Sequence, residues 1–393
     1  MNGNTSDRVL IIGGNFAGLA LAIAFRRVGI QCAVFERAST LRAINAGLVI
    51  QITVMRALQK LGLRDQILAI TGQPFEAIEL KTPGGKLLAR IPQSPLGKEL
   101  GTPAFIVHRA EYLHVLAGQL EGMGIIHLDR DCTGFEQDEA GVTAHFADGH
   151  SEHGAVLVGA DGIHSVVRKL LLGDEPLRYS GYTAWRAMPA FTHPSIIPSI
   201  LQQGEGRAQI FGIYPAKDKI YWFAGKKTPA GGTDAPEGRK RELLTLFKGW
   251  FEPIEALIEA TDESEIIRND VYDRKPVSRW GTGRVTLMGD AAHPATPTLG
   301  QGAGMAIEDA VVLAKELALA SDLRDYSSVD NALRAYERER IPRTTDIVNE
   351  SWNIGRRILW TNPLQCYVRD LFLRLTPGKV WRKSAEAAVA YEP

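Results

Sequence analysis

The chain has 393 residues, 45% of them hydrophobic and 23% charged, and its 45 basic and 45 acidic side chains cancel. That length exceeds one ordinary core and predicts two interlocked domains of globular composition. The balanced charge gives no support to nucleic-acid binding, which usually brings a basic excess.

Cys32, Cys132 and Cys366 lie far apart and form no CxxC or Cys/His cluster, so no metal site is expected. Cys32 sits in an apolar run and reads as a buried, inert thiol, which fits a reducing cytoplasm best. Residues 1–8 lack the basic and apolar regions of a signal peptide. No stretch reaches the roughly 20 apolar residues that span a bilayer.

In chain order, residues 9–12 read as a buried parallel strand. Gly13-Gly14-Asn15-Phe16-Ala17-Gly18 is a turn, residues 19–28 an Ala-rich helix ending near Gly29, and residues 32–36 a second strand. Together they make a βαβ unit whose crossover should be right-handed. A helix is predicted over 54–61, a hairpin from 78–80 and 86–91 around Pro83-Gly84-Gly85, and a helix over 111–120. Residues 142–146 and the turn Ala147-Asp148-Gly149 suggest another hairpin, and 155–160 a third buried strand. From about 179 to 267 the pattern changes to aromatic strands at 208–214 and 219–224, predicting a second domain on an antiparallel sheet. Residues 284–288 return to the buried-strand type, and 301–319 and 328–350 read as long helices. Residues 352–393, with Trp360, Leu371, Phe372, Leu373 and several basic residues, are expected to pack as a terminal helix; a membrane surface or a partner is the alternative.

Three segments carry chemistry. In the first, Gly13 and Gly18 hold the outer positions of a GxGxxG turn, where backbone N–H groups and a helix N-terminus meet a pyrophosphate. Asn15 takes the middle position, and asparagine best tolerates left-handed dihedrals among non-glycine residues. Glu36 lies 23 residues after Gly13 at the end of the second strand, where an acidic side chain binds a ribose hydroxyl; a solvated strand end is the bland alternative. Arg37 beside it is placed to stack near the adenosine. In the second segment, Gly159-Ala160-Asp161-Gly162 ends a buried strand and Ser165 is a candidate N-cap. Asp161 could face a ligand, or cap that helix and pair with Arg168. In the third, Gly289-Asp290-Ala291-Ala292-His293 follows a strand, and Gly300-Gln301-Gly302-Ala303-Gly304 opens a helix. Bare N–H groups backed by the helix dipole make an anion site suited to the N1/O2 edge of a reduced flavin. Asp290 is placed to accept from sugar or ribityl hydroxyls. His293 is a candidate catalytic group, or a histidine that orders the glycine-rich loop. Alternation places Tyr221 and Phe223 on one face of their strand and Trp222 on the other. Phenols such as Tyr214 and Tyr221 could polarise a substrate phenol, with plain aromatic packing as the alternative.

These segments resemble the class A flavoprotein monooxygenases, the p-hydroxybenzoate and salicylate hydroxylase group, over roughly residues 8 to 345. The resemblance implies a Rossmann-like FAD-binding domain with a parallel sheet (residues 1–75, 100–178 and 268–335), interleaved with a substrate domain on an antiparallel sheet (76–99 and 179–267) and followed by C-terminal helices (336–393). It implies FAD as cofactor, with NADH or NADPH as a transient reductant. An oxygen atom from O2 would reach an electron-rich, aromatic small molecule through a flavin C4a-hydroperoxide. Epoxidation, Baeyer–Villiger oxidation or desaturation of a natural product is the alternative, and a non-catalytic flavin-binding module a third. By resemblance Gly14, Phe16, Ala17, Gly47 and Gly289 join the cofactor set, Arg109 meets the FAD phosphates, Cys132 meets the adenine through its backbone, and Asp161 lies near the pyrophosphate and the NAD(P)H path. Pro297 lies on the wall near the flavin ring, and with Tyr214 and Tyr221 is a candidate catalytic residue. Arg186, Tyr214, Tyr221 and Phe223 are the candidate substrate contacts. Gln51-Ile52-Thr53 stands where many relatives have a Pro-Asn pair. A monomer or homodimer in the cytoplasm, without nucleic-acid partners, is expected.

Overall fold

The computed structural model describes residues 7–41, 46–74, 77–92, 104–194, 196, 208–381 and 391–393, and the backbone of 200–203. Strand β1 (Val9–Ile12) is four apolar residues, all buried. Helix α1 (Phe16–Arg27) follows and gives way at Val28 to Gly29 in the left-handed region (φ +78°), as a helix C-terminus favours. Strand β2 (Cys32–Phe35) pairs with β1 in parallel, Val9 opposite Cys32 and Ile12 opposite Phe35, which completes the expected βαβ unit.

Next come β3 (Gly47–Ile50), α2 (Ile52–Lys60), α3 (Arg64–Ile70) and the hairpin of β4 (Ala77–Lys81) with β5 (Leu87–Pro92). Strand β6 (Phe105–His108) pairs with β3 and runs into α4 (Arg109–Gly118). Strand β7 (Ile126–His127), the meander β8 (Cys132–Gln137), β9 (Val142–Phe146) and β10 (Ser151–Gly154), then β11 (Val156–Gly159) and α5 (Val166–Leu172) follow. Strands β12 (Arg178–Ala187), β13 (Ile200–Gln203), β14 (Gln209–Pro215) and β15 (Ile220–Lys227) lead to α6 (Arg239–Leu246), α7 (Ile254–Ala260) and β16 (Ile267–Asp273). The chain closes with β17 (Val285–Leu287), α8 (Gly302–Ala318), α9 (Tyr326–Ile358) and α10 (Pro363–Leu375).

Among the described residues a five-stranded sheet has the order β17-β11-β1-β2-β7, with every pairing parallel. Its central strands β1, β2 and β11 are continuous apolar runs because both faces are covered. The other large sheet has the order β16-β12-β15-β14-β13-β4-β5. It is antiparallel as expected except at one seam: β13 lies parallel to β4, which brings the early hairpin into the later sheet. One face of this sheet is closed by α6 and α7 over Trp185, Phe211, Trp222 and Phe247. The Trp222 indole N–H is satisfied there by Thr261 Oγ1 at 3.0 Å, so its large apolar surface can be buried without an orphaned donor.

The last long helix extends well past the predicted 350, through Pro342 to Ile358. Proline removes one helical N–H and usually kinks or ends a helix. Here buried contacts on both sides, at Arg340, Thr344 and Ser351, hold the segment. Among the described residues no helix is long and apolar enough to cross a membrane.

Candidate active site

The glycine turn is built by close approach. Gly13 has φ +110°, and a Cβ there would lie 2.4 Å from the Ala160 carbonyl oxygen. A Cβ on Gly18 would lie 1.9 Å from the Gly13 oxygen, so α1 can press onto the turn only without one. Asn15 does not use the left-handed freedom expected of it: its φ is −94° and its ψ −166°. It is instead the N-cap of α1, its side-chain oxygen accepting from Phe16 N at 2.8 Å. Asn15→Ala is therefore expected to cost about 1 kcal/mol and Asn15→Gly only a few tenths. Urea unfolding of the apoprotein checks the order, which fails if glycine proves the worse replacement.

Glu36 ties the strand end to this turn. One of its oxygens accepts from Gly14 N at 2.7 Å and the other from Ala38 N at 2.9 Å. Each keeps a lone pair for a further donor. Arg37 beside it is exposed. Phe16 is buried beneath the guanidinium of Arg109, 4.9 Å from its ring centre. Ala17 lies against Gly289.

In the second segment Asp161 turns toward its own helix. It accepts from Val166 N at 2.8 Å and from the Ser165 hydroxyl, while Ser165 caps with its oxygen on Arg168 N at 2.9 Å. Burial raises the Asp161 pKa, against the opposing pull of these donors. The alternative pairing with Arg168 does not form. Arg168 reaches instead to the carbonyls of Ala291 and Ala292, at 3.0 and 2.9 Å, and so joins the second segment to the third. Cys132 is buried at the start of β8, its thiol pushed up to about 11 by burial. Cys32 is raised to about 12 for the same reason, as an inert thiol should be.

In the third segment the glycines serve different ends. Gly289 has φ +57° and its N–H donates to Asp309 at 2.9 Å. Gly300 has φ +64° and ends the turn Pro297–Leu299. Gly304 makes room for a neighbour, since a Cβ there would lie 2.4 Å from Val54 Cγ2. Gly302 starts α8 facing open space, its nearest would-be neighbour being Asp290 Oδ1 at 3.9 Å. Gln301 and Ala303 flank it, both half-buried, and Pro297 is exposed. His293 takes the loop-ordering role: it is buried, with Nε2 2.6 Å from Asp309 Oδ2. Asp290 is open to solvent, yet the protein around it raises its pKa, against the opposing pull of His293 and Arg109. The carboxyl is thus reached by water although much protein lies around it.

The face of the seven-stranded sheet away from α6 and α7 packs Tyr214, Tyr221 and Phe223 with Val49 and Ile106, and Tyr221 there feels Arg109, which also acts on Asp290. Tyr214 and Tyr221 are paired across β14 and β15, and with Phe223 their ring centres lie 6.1 to 6.4 Å apart. Trp222 points to the opposite core, as alternation predicts. Tyr221 rests on Gly47, where a Cβ would come within 2.3 Å of its ring. Arg186 stands opposite Phe223 on β12. It donates to Asn269 Oδ1 at 3.0 Å, but its Nε, like that of Arg109, is buried without a partner. The two cations act on each other and both act on Tyr221, whose hydroxyl pKa is raised by burial and partly lowered by them.

Some contacts of this region were not legible in the sequence, where Gln51 stood out only for replacing the Pro-Asn pair of many relatives. Gln51 donates to the Leu299 carbonyl at 3.0 Å and so steadies the Pro297 turn. The Tyr182 hydroxyl meets Thr298. Arg340, in the middle of α9, reaches Asp309 at 2.7 Å.

Arg109 with its orphaned Nε, solvent-reached Asp290 and the uncrowded start of α8 at Gly302 fit a ligand with both anionic and hydroxyl groups, as FAD has. The sequence matches the family model described as an FAD binding domain over residues 7–351. It is 39% identical to the aurachin C monooxygenase/isomerase of Stigmatella aurantiaca over 94% of both chains. It is 35% identical to the 3-amino-4-hydroxybenzoate 2-monooxygenase of Streptomyces cremeus, covering 94% of this chain and 92% of that one. Its fold matches Klebsiella pneumoniae HpxO, solved with FAD and uric acid, with a TM-score of 0.89 and 28% identity over 98% of this chain and 97% of that one. The chain belongs to this FAD-binding family, the class A flavoprotein monooxygenases, and is an FAD-dependent monooxygenase.

Proposed function

We propose that the substrate is an electron-rich aromatic small molecule bearing an acidic group, held between the aromatic face of β12, β14 and β15 and the Gly300–Gly304 arc. The observation that carries this reading is the pair of guanidiniums, Arg109 and Arg186, flanking Tyr221. Each has a buried Nε without a partner, and neither has an ion pair among the described residues. Buried polar atoms of a cation are normally matched, so an anionic group beside each half-buried guanidinium fits them.

Arg109 takes a phosphate of FAD, and Arg186 the acidic group of the substrate. Glu36 accepts from the adenosine ribose with its remaining lone pairs, beside the Gly13–Gly18 turn. Asp290 accepts from cofactor hydroxyls, and the N-terminus of α8 with the N–H groups of Gly302 and Ala303 faces the pyrimidine edge of the flavin. Tyr221 and Tyr214 orient the substrate phenol, Phe223 stacks beside it, and Pro297 forms the wall. FAD, reduced by NADH or NADPH, supplies the activation of O2; one oxygen atom goes to the substrate and the other leaves as water. The division into a nucleotide-binding and a substrate-binding unit follows the two large sheets. Two relatives agree with an acidic ligand by name alone, one for 3-amino-4-hydroxybenzoate and one solved with uric acid.

Titrating the yellow holoenzyme with benzoate and with neutral benzamide, read by the perturbation of flavin absorbance, tests the assignment to Arg186. Benzoate should bind more tightly, and Arg186→Met should remove about 30-fold of its affinity while leaving benzamide unchanged. Equal binding of the two probes to the parent protein would overturn it. A product heavier by one oxygen, formed with NAD(P)H consumption, tests the reaction separately.

A further inference from the structure

Surface helices normally turn their apolar stripe toward the core. Helix α10 turns most of its apolar residues the other way. Its inward side carries Cys366 and Arg369, both buried, the thiol meeting the Trp360 carbonyl at 3.3 Å and the guanidinium paired with Asp370 at 2.7 Å, and Leu373, which packs on Leu80, Leu88 and Ala89 of the β4–β5 hairpin. Its outward side carries Leu364, Tyr367, Val368, Leu371, Phe372 and Leu375, between 37% and 70% exposed. Their spacing of three and four residues makes one continuous stripe along the helix. The helix is held in shape without help from that stripe: Asn362 caps it by accepting from Leu364 N at 2.9 Å and Gln365 N at 3.3 Å, and Pro363 occupies its first turn.

The surroundings of the stripe are basic. From Arg356 to Lys379 there are five basic residues against one acidic, a net charge of +4. Asp370, the acidic one, is already paired with Arg369. Arg356, Arg357, Arg374 and Lys379 are exposed and have no ion pair among the described residues. Half-buried Trp360 and Trp381 lie just beyond the two ends of α10; indoles favour the headgroup depth of a bilayer.

We propose that this face docks α10 into the headgroup region of an anionic membrane. An apolar face with a cationic margin matches that surface in both respects. With 13 residues the helix is about 20 Å long, too short for the roughly 30 Å hydrocarbon core, so it lies in the interface and does not cross. A second copy of this chain is the poorer occupant: a two-fold pairing would bring two such segments of net charge +4 together with no free carboxylate among residues 356–379 to answer them.

The test is flotation of the FAD-loaded protein with mixed phosphatidylglycerol–phosphatidylcholine vesicles and with phosphatidylcholine vesicles alone. Binding should be at least about tenfold stronger to the anionic vesicles and should fall with salt. The double variant Leu371→Glu/Phe372→Glu should lose it. Arg374→Gln/Lys379→Gln should weaken it by about tenfold. Both variants should retain the FAD content and the NAD(P)H oxidation rate of the parent, which shows that they are folded. Absence of binding to the anionic vesicles, or undiminished binding of the glutamate variant, would overturn the proposal. So would a concentration-dependent dimer that the glutamate variant converts to monomer, since a second copy would then cover the stripe.

Discussion

Asp309→Ala is expected to cost about 3–5 kcal/mol of stability, the usual result of removing one partner from a buried ionic cluster. The carboxylate lies in the interior of α8 and accepts from Gly289 N at 2.9 Å, contacts His293 Nε2 at 2.6 Å and pairs with Arg340 at 2.7 Å. Without it Arg340, fully buried, keeps only Glu308 for its charge, at 2.9 Å. Burial works to raise the Asp309 pKa, but His293 and Arg340 outweigh it and hold the carboxyl at about 2, against an ordinary 3.8. A depressed carboxyl contributes stability that is fully present above its unfolded value and is lost as pH falls through its folded one. The contribution of Asp309 should therefore vanish between pH 3.8 and about 2, and Asp309→Asn should lose less stability than the parent over that window. Because Gly289 and His293 shape the loop that carries Asp290, FAD retention should fall along with stability. Urea midpoints measured across this pH range, with FAD content, check both. A loss below about 1 kcal/mol would show the cluster to be no more than a surface pair.

Two glycines two residues apart in the first turn of α8, but differently placed, should separate folding from cofactor binding. A side chain on Gly302 meets only open space and, at 3.9 Å, Asp290. Gly302→Val should leave the apoprotein's melting temperature nearly unchanged while weakening FAD by about 100-fold, because the added carbons project into the cleft proposed for the cofactor. Gly304→Val drives its Cβ to 2.4 Å from Val54 and should cost about 1–3 kcal/mol by overpacking α2 against α8. Calorimetry of the two apoproteins beside FAD titrations distinguishes the cases. If Gly302→Val lost stability and kept FAD, Gly302 would serve the turn and not the cleft.

The sequence by itself determined the features whose causes are local. Four apolar residues, a glycine turn and an Ala-rich segment sufficed to identify β1, α1 and β2, since strand and helix periods are written in neighbouring residues. Alternation likewise divided Tyr221 and Phe223 from Trp222, and the loop-ordering role of His293 was among the sequence alternatives. Only the tertiary structure decided what depends on distant partners. Asn15 reads as a residue chosen for left-handed backbone until the extended chain and its bond to Phe16 N make it a cap. Arg168, seven residues from Asp161, bonds instead to carbonyls more than 120 residues away. Local periodicity carries the helix across Pro342 to 350, but its continuation to Ile358 rests on buried residues such as Ser351 and Ile358. The meeting of Arg109 with Arg186, the parallel seam of β13 with β4 and the outward stripe of α10 have the same origin. Each is fixed by contacts between segments far apart in sequence, and such contacts leave no periodic trace in either segment.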